Sequence, residues 1–169
     1  MNITPVPFDK YLEEVSHLLR TDGLFLTTHD EKDNIMMIGW GGITYYWGKP
    51  IFLVPVRNSR YSWQAINNTG VFTVSVPLNK KLKKESAFCG SKSGRDYDKF
   101  KECNLTPVPG QKVNVPIIGE CSLHYECKVI FKQTMEPTLL DREIKESHYK
   151  NNDYHTMFYG EIAACYTTK

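Results

Sequence analysis

Alternation of apolar and polar residues is clearest in the second half of the chain, from Cys121 to Phe131. Every second residue there is apolar or a cysteine, and the positions between them hold Ser122, His124, Glu126 and Lys128. Because successive side chains of a β-strand point to opposite faces, this period of two predicts a long strand. One of its faces is expected to join the core, and the other to be largely polar.

Further apolar runs of strand length are bounded by residues that favour turns. They predict strands at Leu24–His29, Ile35–Trp47, Ile51–Arg57, Val71–Val76 and His155–Tyr166. The polar stretch Asp30–Asn34 suits the loop of a hairpin between the first two strands. Pro55 lacks the amide hydrogen that a central strand donates, so we expect a sheet edge or a bulge at this residue.

Residues 8–20 carry apolar side chains at helical spacing, with Pro7 before them and Gly23 after them. This pattern predicts an amphipathic helix that packs against the outside of the sheet. The charged segment Asp141–Lys150 is compatible with a helical turn or with a mobile excursion. Other short helices or turns are predicted after a Ser59 cap with an end near Gly70, at Lys80–Phe88 and near Asp96.

Six or seven strands with a few short helices favour an antiparallel barrel over a parallel sheet, because helices of crossover length do not regularly separate the strands. The length of 169 residues suits a single domain. The sequence contains neither the G-x-G-x-x-G nor the G-x-x-x-x-G-K pattern. Nucleotide sites of the Rossmann and P-loop types are therefore not expected.

The chain carries 21 basic and 19 acidic side chains, a balance that does not call for a polyanionic partner. The basic run Asn79–Lys84 has no interleaved aromatic residues, so nucleic-acid binding is not expected. No apolar run approaches the roughly 20 residues of a membrane span, and residues 1–15 lack the apolar core of a signal peptide. We expect a cytoplasmic protein with no membrane partner.

The five cysteines are irregularly spaced and form no C-x-x-C pair, so reduced thiols in a cytosol are expected. Two interpretations of Cys89 stay open: a reactive thiol whose pKa Lys92 or Arg95 would lower, and a small buried packing residue. The five histidines show no spacing typical of metal ligands. No metal site is predicted.

Three segments stand out by their glycine, serine and basic residues: Met36–Ile43, Arg57–Tyr61 and Cys89–Asp96. A phosphate monoester requires convergent backbone amides, hydroxyls and cations, and the last two segments supply such groups. Each segment also has a plain structural interpretation, as a twisted barrel strand, a solvated turn and an ordinary glycine loop respectively. Composition alone does not decide between these alternatives.

Four stretches follow one another along the chain: MMIGWGGI, WGKPIFLVPVRNSRY, AFCGSKSGRDYDKF and YHTMFYGEI. Together they resemble the successive signatures of the flavin reductase-like, flavoredoxin-type family, and the resemblance runs from Leu24 to Ile162. It implies an FMN-binding split β-barrel, antiparallel and Greek-key-like, that forms a homodimer with FMN near the subunit interface. Residues 1–169 are then one flavin reductase-like domain.

The resemblance also implies which residues hold the cofactor. The isoalloxazine would be lined, largely through backbone, by Met37, Ile38, Gly39 and Trp40. The phosphate side would be held by Arg57, Ser59, Arg60 and Tyr61. The cofactor would be covered by Cys89, Gly90, Ser91, Lys92, Ser93 and Gly94. The stretch Tyr154–Thr156 matches a late family strand without a specified role, and Met37 stands where the family usually has threonine.

A bound isoalloxazine performs hydride or electron transfer itself, so such a protein needs no catalytic acid, base or nucleophile. The resemblance therefore implies an FMN-dependent oxidoreductase that takes hydride from transiently bound NAD(P)H and passes electrons to an acceptor. The alternative is a flavoredoxin-like carrier that exchanges electrons with protein partners without oxidising NAD(P)H. A third possibility is an FMN storage or sensing module, or a fold relative that has lost the cofactor.

Overall fold

Antiparallel strands make up most of the computed structural model, which describes residues 1–79 and 81–169. Its strands are β1 (Ile3–Pro5), β2 (Leu24–His29), β3 (Asp33–Ile38), β4 (Gly42–Tyr46), β5 (Lys49–Arg57), β6 (Val71–Val76), β7 (Pro107–Val108), β8 (Ile117–Ile118), β9 (Leu123–Thr134) and β10 (His155–Thr168). Its helices are α1 (Leu12–Arg20), α2 (Tyr61–Thr69), α3 (Lys83–Ser91), α4 (Lys99–Glu102) and α5 (Arg142–His148). None of the helices in the described ranges is long and apolar enough to cross a membrane.

The order of strands in the main sheet forces the sheet to curl. That order is β3-β2-β6-β9-β10-β5-β4, with β1 also paired to β10. A flat sheet with about 4.8 Å between neighbouring strands would separate β3 from β4 by roughly 29 Å. These strands are consecutive in the chain, and the segment 39–41 between them reaches only about 14 Å when fully extended. The two ends of the sheet are therefore drawn together into an antiparallel barrel.

The predicted strands Leu24–His29 and Val71–Val76 are confirmed without change. The prediction of one strand at Ile35–Trp47 is wrong, because two strands occupy this segment. The chain pairs with β2 as far as Ile38 and with β5 from Gly42 onward. The short segment between them therefore carries the chain from one end of the sheet to the other.

Gly41 permits this change of strand partner. Its φ is +113°, and a Cβ atom there would contact the carbonyl oxygen of Leu53 and lie 3.1 Å from the Pro55 ring. The ladder between β4 and β5 ends at Leu53, so within the described part of the chain Pro55 has a strand neighbour in β10 alone. The sheet edge predicted at Pro55 is thus present locally, although β5 as a whole is an interior strand.

The long strand predicted at Cys121–Phe131 is present as β9, and its second face is polar as expected, but the first half of that face is buried. His124 and Glu126 are completely buried there, because residues 111–118 lie over them. The Glu126 carboxylate accepts hydrogen bonds from the backbone amides of Gln111, Lys112 and Val113 and from the hydroxyl of Tyr166. The alternation in the sequence thus marks two buried faces, one apolar and one polar.

Helix α1 lies against β2 and β4 and packs onto the core through Val15 and Leu19. It begins at Leu12 instead of residue 8, since residues 8–11 form a turn. Helix α2 ends at Gly70 in a left-handed conformation, as predicted. The predicted Ser59 cap is wrong, because Arg60 is the N-cap and Ser59 lies one residue earlier.

The helix predicted at Lys80–Phe88 occurs slightly later as α3, and Lys80 itself lies outside the described residues. This shift places Cys89–Ser91 in the last turn of the helix, where the sequence suggested part of a glycine loop. The turn predicted near Asp96 is α4, which Asp98 caps through the amide of Lys101. The charged segment from 141 to 150 contains α5.

Replacing Glu126 with glutamine should lower the free energy of unfolding by about 2 kcal/mol or more, since hydrogen bonds to a buried charge are strong and the neutral amide cannot accept all of them. The matched control is Glu120→Gln. Glu120 accepts hydrogen bonds from the amide and hydroxyl of Thr106 at an exposed site, so its loss should cost less than about 1 kcal/mol. Urea unfolding measures both values, and equal losses would contradict the role of burial.

Candidate functional site

A cavity of about 400 Å³ opens where the end of β3, the end of β5, the start of α2 and the end of α3 meet. This volume lies in the range of small-molecule and cofactor sites. All fourteen residues predicted for the cofactor site line it: Met37, Ile38, Gly39, Trp40, Arg57, Ser59, Arg60, Tyr61, Cys89, Gly90, Ser91, Lys92, Ser93 and Gly94. Segments separated by up to 57 positions in the chain therefore surround one space.

One wall of the cavity is formed at the end of β3, where the chain stops pairing with β2 and goes on to pair with β5. Gly39 and Trp40 follow the last residue of β3 and are exposed, with Trp40 47% exposed. The Trp40 ring centroid lies 5.2 Å from that of His155 across the cavity lining. Trp40 is thus exposed at the cavity and does not pack in the core. Gly41, in contrast, has a structural role, which was one of the two interpretations that the sequence left open for this segment.

Arg57 and Ser59 hold a neighbouring segment in place. The Arg57 guanidinium donates to the carbonyl oxygens of His148 and Asp153, at 3.0 and 2.6 Å. The Ser59 hydroxyl donates to the Asp153 carboxylate at 2.6 Å. Both side chains line the cavity, but these bonds tie the end of β5 to the chain between α5 and β10.

The hydroxyls of the α3 wall are also used within the protein. Ser91 donates to the carbonyl of Ala87 at 2.8 Å, and the Ser93 hydroxyl accepts from the amide of Arg95 at 3.1 Å. Lys92 is exposed, with its Nζ 5.6 Å from the centroid of the Tyr97 ring. This wall therefore presents backbone groups and one cationic side chain to the cavity. Its hydroxyls are already hydrogen-bonded within the protein.

Asn34 is a site residue that sequence reasoning missed, because it was assigned to a hairpin loop. It lies in β3, is 3% exposed, and its amide nitrogen donates to the Ser62 hydroxyl at 2.8 Å. Its Oδ1 is buried without a hydrogen-bond partner in the described residues, which is uncommon in native proteins. Gly94 is needed beside it, since a Cβ there would contact Oδ1 and approach the Tyr61 ring to 2.9 Å.

Among the residues that the structure describes, the cavity lining contains five basic side chains, those of Arg57, Arg60, Lys92, Arg95 and Lys99, and no carboxylate. Lys99 is buried and donates to the carbonyl oxygens of Ile35 and Cys89, and burial lowers the pKa of its ammonium. Arg95 donates to the carbonyl of Ser59. In residues 1–79 and 81–169, the side chains of Arg60 and Lys92 form no hydrogen bond or ion pair and remain available to a ligand.

His155 is the member of the Tyr154–Thr156 stretch that lines the cavity. Its Nδ1 lies 2.7 Å from the Tyr149 hydroxyl, and burial together with the nearby Arg57 lowers its pKa to about 4. The imidazole is therefore neutral at pH 7. The hydroxyl of Thr156 bonds to Asn58 and that of Tyr154 to Asn152, so these two side chains have structural partners.

The model of the flavin reductase like domain family matches residues 20–169, which is most of the chain. The chain belongs to the flavin reductase-like family. This flavin reductase-like protein is 31% identical over 132 residues to an uncharacterized protein of Archaeoglobus fulgidus, with 78% of the chain and 64% of that relative covered. The chain thus spans slightly less than two thirds of the relative's length.

Two solved structures are similar to this chain and identify its fold. The flavoredoxin of Desulfovibrio vulgaris (Miyazaki F) is 30% identical, with a TM-score of 0.69 over 87% of this chain and 69% of that one. A Shewanella frigidimarina protein described with a split barrel domain is 16% identical, with a TM-score of 0.68 over 93% of this chain and 74% of that one. The predicted fold class, a mainly β split barrel with a few short helices, is confirmed.

The stability of this flavin reductase-like protein should fall as the pH is lowered from about 6.5 to 4. Burial lowers the pKa values of both His124 and His155 to about 4. In this window the unfolded imidazoles, with pKa near 6.5, bind protons while the folded ones stay neutral, so acid favours unfolding by roughly 3 kcal/mol per histidine at pH 4.

Urea unfolding at several pH values tests this expectation. His155→Gln should make the curve shallower below pH 6.5, because one of the two contributing imidazoles is gone. His17→Gln, on α1, controls for the loss of a histidine as such. A curve in His155→Gln as steep as that of the parent protein would contradict the assignment.

Proposed function

We propose that the cavity holds one FMN per chain and that the protein is an oxidoreductase acting through this cofactor. The observation that carries the proposal is the charge of the cavity, which has five basic and no acidic side chains in its lining. FMN is a flat ring system that ends in a phosphate dianion, so it requires a cationic end and an apolar wall. Its bound ring would accept hydride and pass on electrons.

The phosphate end fits the part of the cavity around Arg60 and Lys92. Both side chains are cationic, exposed and without a hydrogen-bonding partner in the described residues, so they are free for charge-assisted bonds. Helix α2, nine residues long, begins at Tyr61 without a side-chain cap, and its first two residues, Tyr61 and Ser62, line the cavity. A helix N-terminus of this kind favours an anion.

The ring end fits the wall formed by residues 37–40. The backbone there is accessible because β3 has ended and Gly39 lacks a side chain. The neutral imidazole of His155 and the Trp40 ring would limit access of water to that side.

The source of the electrons divides the proposal into two candidates. The first is an NAD(P)H-dependent reductase, in which cytoplasmic NAD(P)H binds transiently at the exposed side of the cavity and an unknown acceptor is reduced. The second is an electron carrier that exchanges electrons with a protein partner and does not oxidise NAD(P)H. The likeness to the flavoredoxin of Desulfovibrio vulgaris favours the second, which is the flavoredoxin-like candidate.

Visible absorption of the protein, incubated with FMN, desalted and kept without oxygen, separates these candidates. Retained flavin bands that bleach promptly with NADH or NADPH would support the reductase. Bands that bleach only with dithionite would support the carrier. Loss of all flavin on desalting would contradict both candidates.

Replacing Arg60 or Lys92 with alanine should weaken FMN binding by about 1.5 to 3 kcal/mol each, since each would lose a charge-assisted bond to the phosphate. Titration of FMN fluorescence measures the dissociation constants. The control is Lys83→Ala, in the first turn of the same α3 but outside the cavity lining, which should bind like the parent protein. Parent affinity in both cavity variants would contradict the proposed phosphate site.

We also infer that two chains form a homodimer through an aromatic patch made of the exposed Tyr46, Trp47 and Phe131 and the half-buried Tyr159. Their rings contact one another, with centroids 5.2 to 6.0 Å apart. Trp47 is 60% and Phe131 43% exposed. Contiguous apolar surface of this kind is typical of an interaction site.

The double variant Trp47→Ser/Phe131→Ser should shift the protein from dimer to monomer, because it removes most of the apolar area of the patch. Light scattering after size exclusion measures the mass. Leu139→Ser is the control, since Leu139 is 83% exposed and lies outside the patch. A monomeric parent protein, or a double variant that remains dimeric, would contradict this interface.

A further inference from the structure

Two cysteines that are distant in sequence meet at the edge of the cavity. The Sγ atoms of Cys89 and Cys103 lie 3.9 Å apart. Cys89 is in the last turn of α3, is 1% exposed and lines the cavity, whereas Cys103 caps the C-terminus of α4 and is partly exposed. This pair could not be expected from the sequence, because thirteen residues separate the two cysteines.

The surroundings hold the two sulfurs together. Cys89 packs in an apolar cluster with Phe100, the residue that follows Lys99 in α4, and Cys103 lies against the same cluster. The buried ammonium of Lys99 donates to the carbonyl oxygen of Cys89 at 2.9 Å, which ties α4 to the end of α3. A disulfide has an S–S distance of about 2.05 Å, so the sulfurs need to approach by roughly 2 Å. Rotation of the partly exposed Cys103 side chain supplies part of that movement.

We propose that Cys89 and Cys103 form a thiol–disulfide exchange site whose substrates are disulfides of small thiols or of proteins. The Cys103 thiolate attacks one sulfur of the substrate disulfide, which forms a mixed disulfide and releases one thiolate. Cys89, after losing its proton, then attacks the Cys103 sulfur and releases the second thiolate. The two protein thiols lose two electrons and two protons, and the substrate disulfide becomes two thiols.

The roles of the two cysteines follow from their exposure. Cys103 is the one that an external disulfide reaches, and Cys89 resolves the mixed disulfide from inside the protein. Burial raises the pKa of Cys89 to about 12 and also raises that of Cys103, so the thiolate fractions at neutral pH are small and exchange is slow. The pair is thus a slow exchange site.

Trypsin produces peptides that identify the linkage. Cys89 lies alone in peptide 85–92 and Cys103 alone in peptide 102–112, whereas Cys121 and Cys127 share peptide 113–128. The full chain, without added flavin, is equilibrated for hours with glutathione and glutathione disulfide at several ratios. Free thiols are then alkylated, and the digest is analysed by mass spectrometry.

The expected result is a linked pair of peptides 85–92 and 102–112, with both thiols lost together as the buffer becomes more oxidising. Cys103→Ser should abolish the linkage, and Cys165→Ser, the other partly exposed cysteine, should leave it unchanged. Alkylation of both cysteines at every ratio, glutathione that stays on Cys103, or linkage of Cys89 to peptide 113–128 would each overturn the proposal. The parent protein decides the matter even if Cys103→Ser does not fold.

Discussion

The three-residue connection between β3 and β4 is the constraint on which the rest of the structure depends. It joins the two ends of a seven-strand path, so it forces the sheet to close on itself. It also brings the end of β3 close to the end of β5 without pairing these two strands. The cavity opens between the two ends. Gly41 makes the connection possible, because any side chain there would meet the Leu53 carbonyl. Fold closure and site formation are therefore consequences of one segment.

The charged side chains that line this cavity are all basic. Arg57, Arg95 and Lys99 are bonded to carbonyl oxygens from other segments, so these cations hold the walls together. Arg60 and Lys92 have no such bonds in the described residues. The same group of basic residues thus includes some that build the cavity and some that are free to bind a ligand, and the cavity as a whole favours an anion.

Much of the site could be predicted because its segments differ from ordinary strands and helices. Glycines next to Trp40, and cations next to serines, are uncommon enough in sequence to be noticed. Asn34, Lys99 and His155 could not be predicted in this way, because each is a single polar residue within an ordinary element. Their positions depend on distant partners, such as the carbonyl of Ile35 for Lys99, that only the closed barrel brings near. The pairing of Cys89 with Cys103 depends on tertiary packing for the same reason.

A crystal structure of the protein grown with FMN tests the central claim most directly. The account predicts the flavin ring against residues 37–40 and the phosphate near Arg60 and Lys92. Flavin bound elsewhere on the protein, or a cavity that stays without flavin at saturating FMN, would contradict the account.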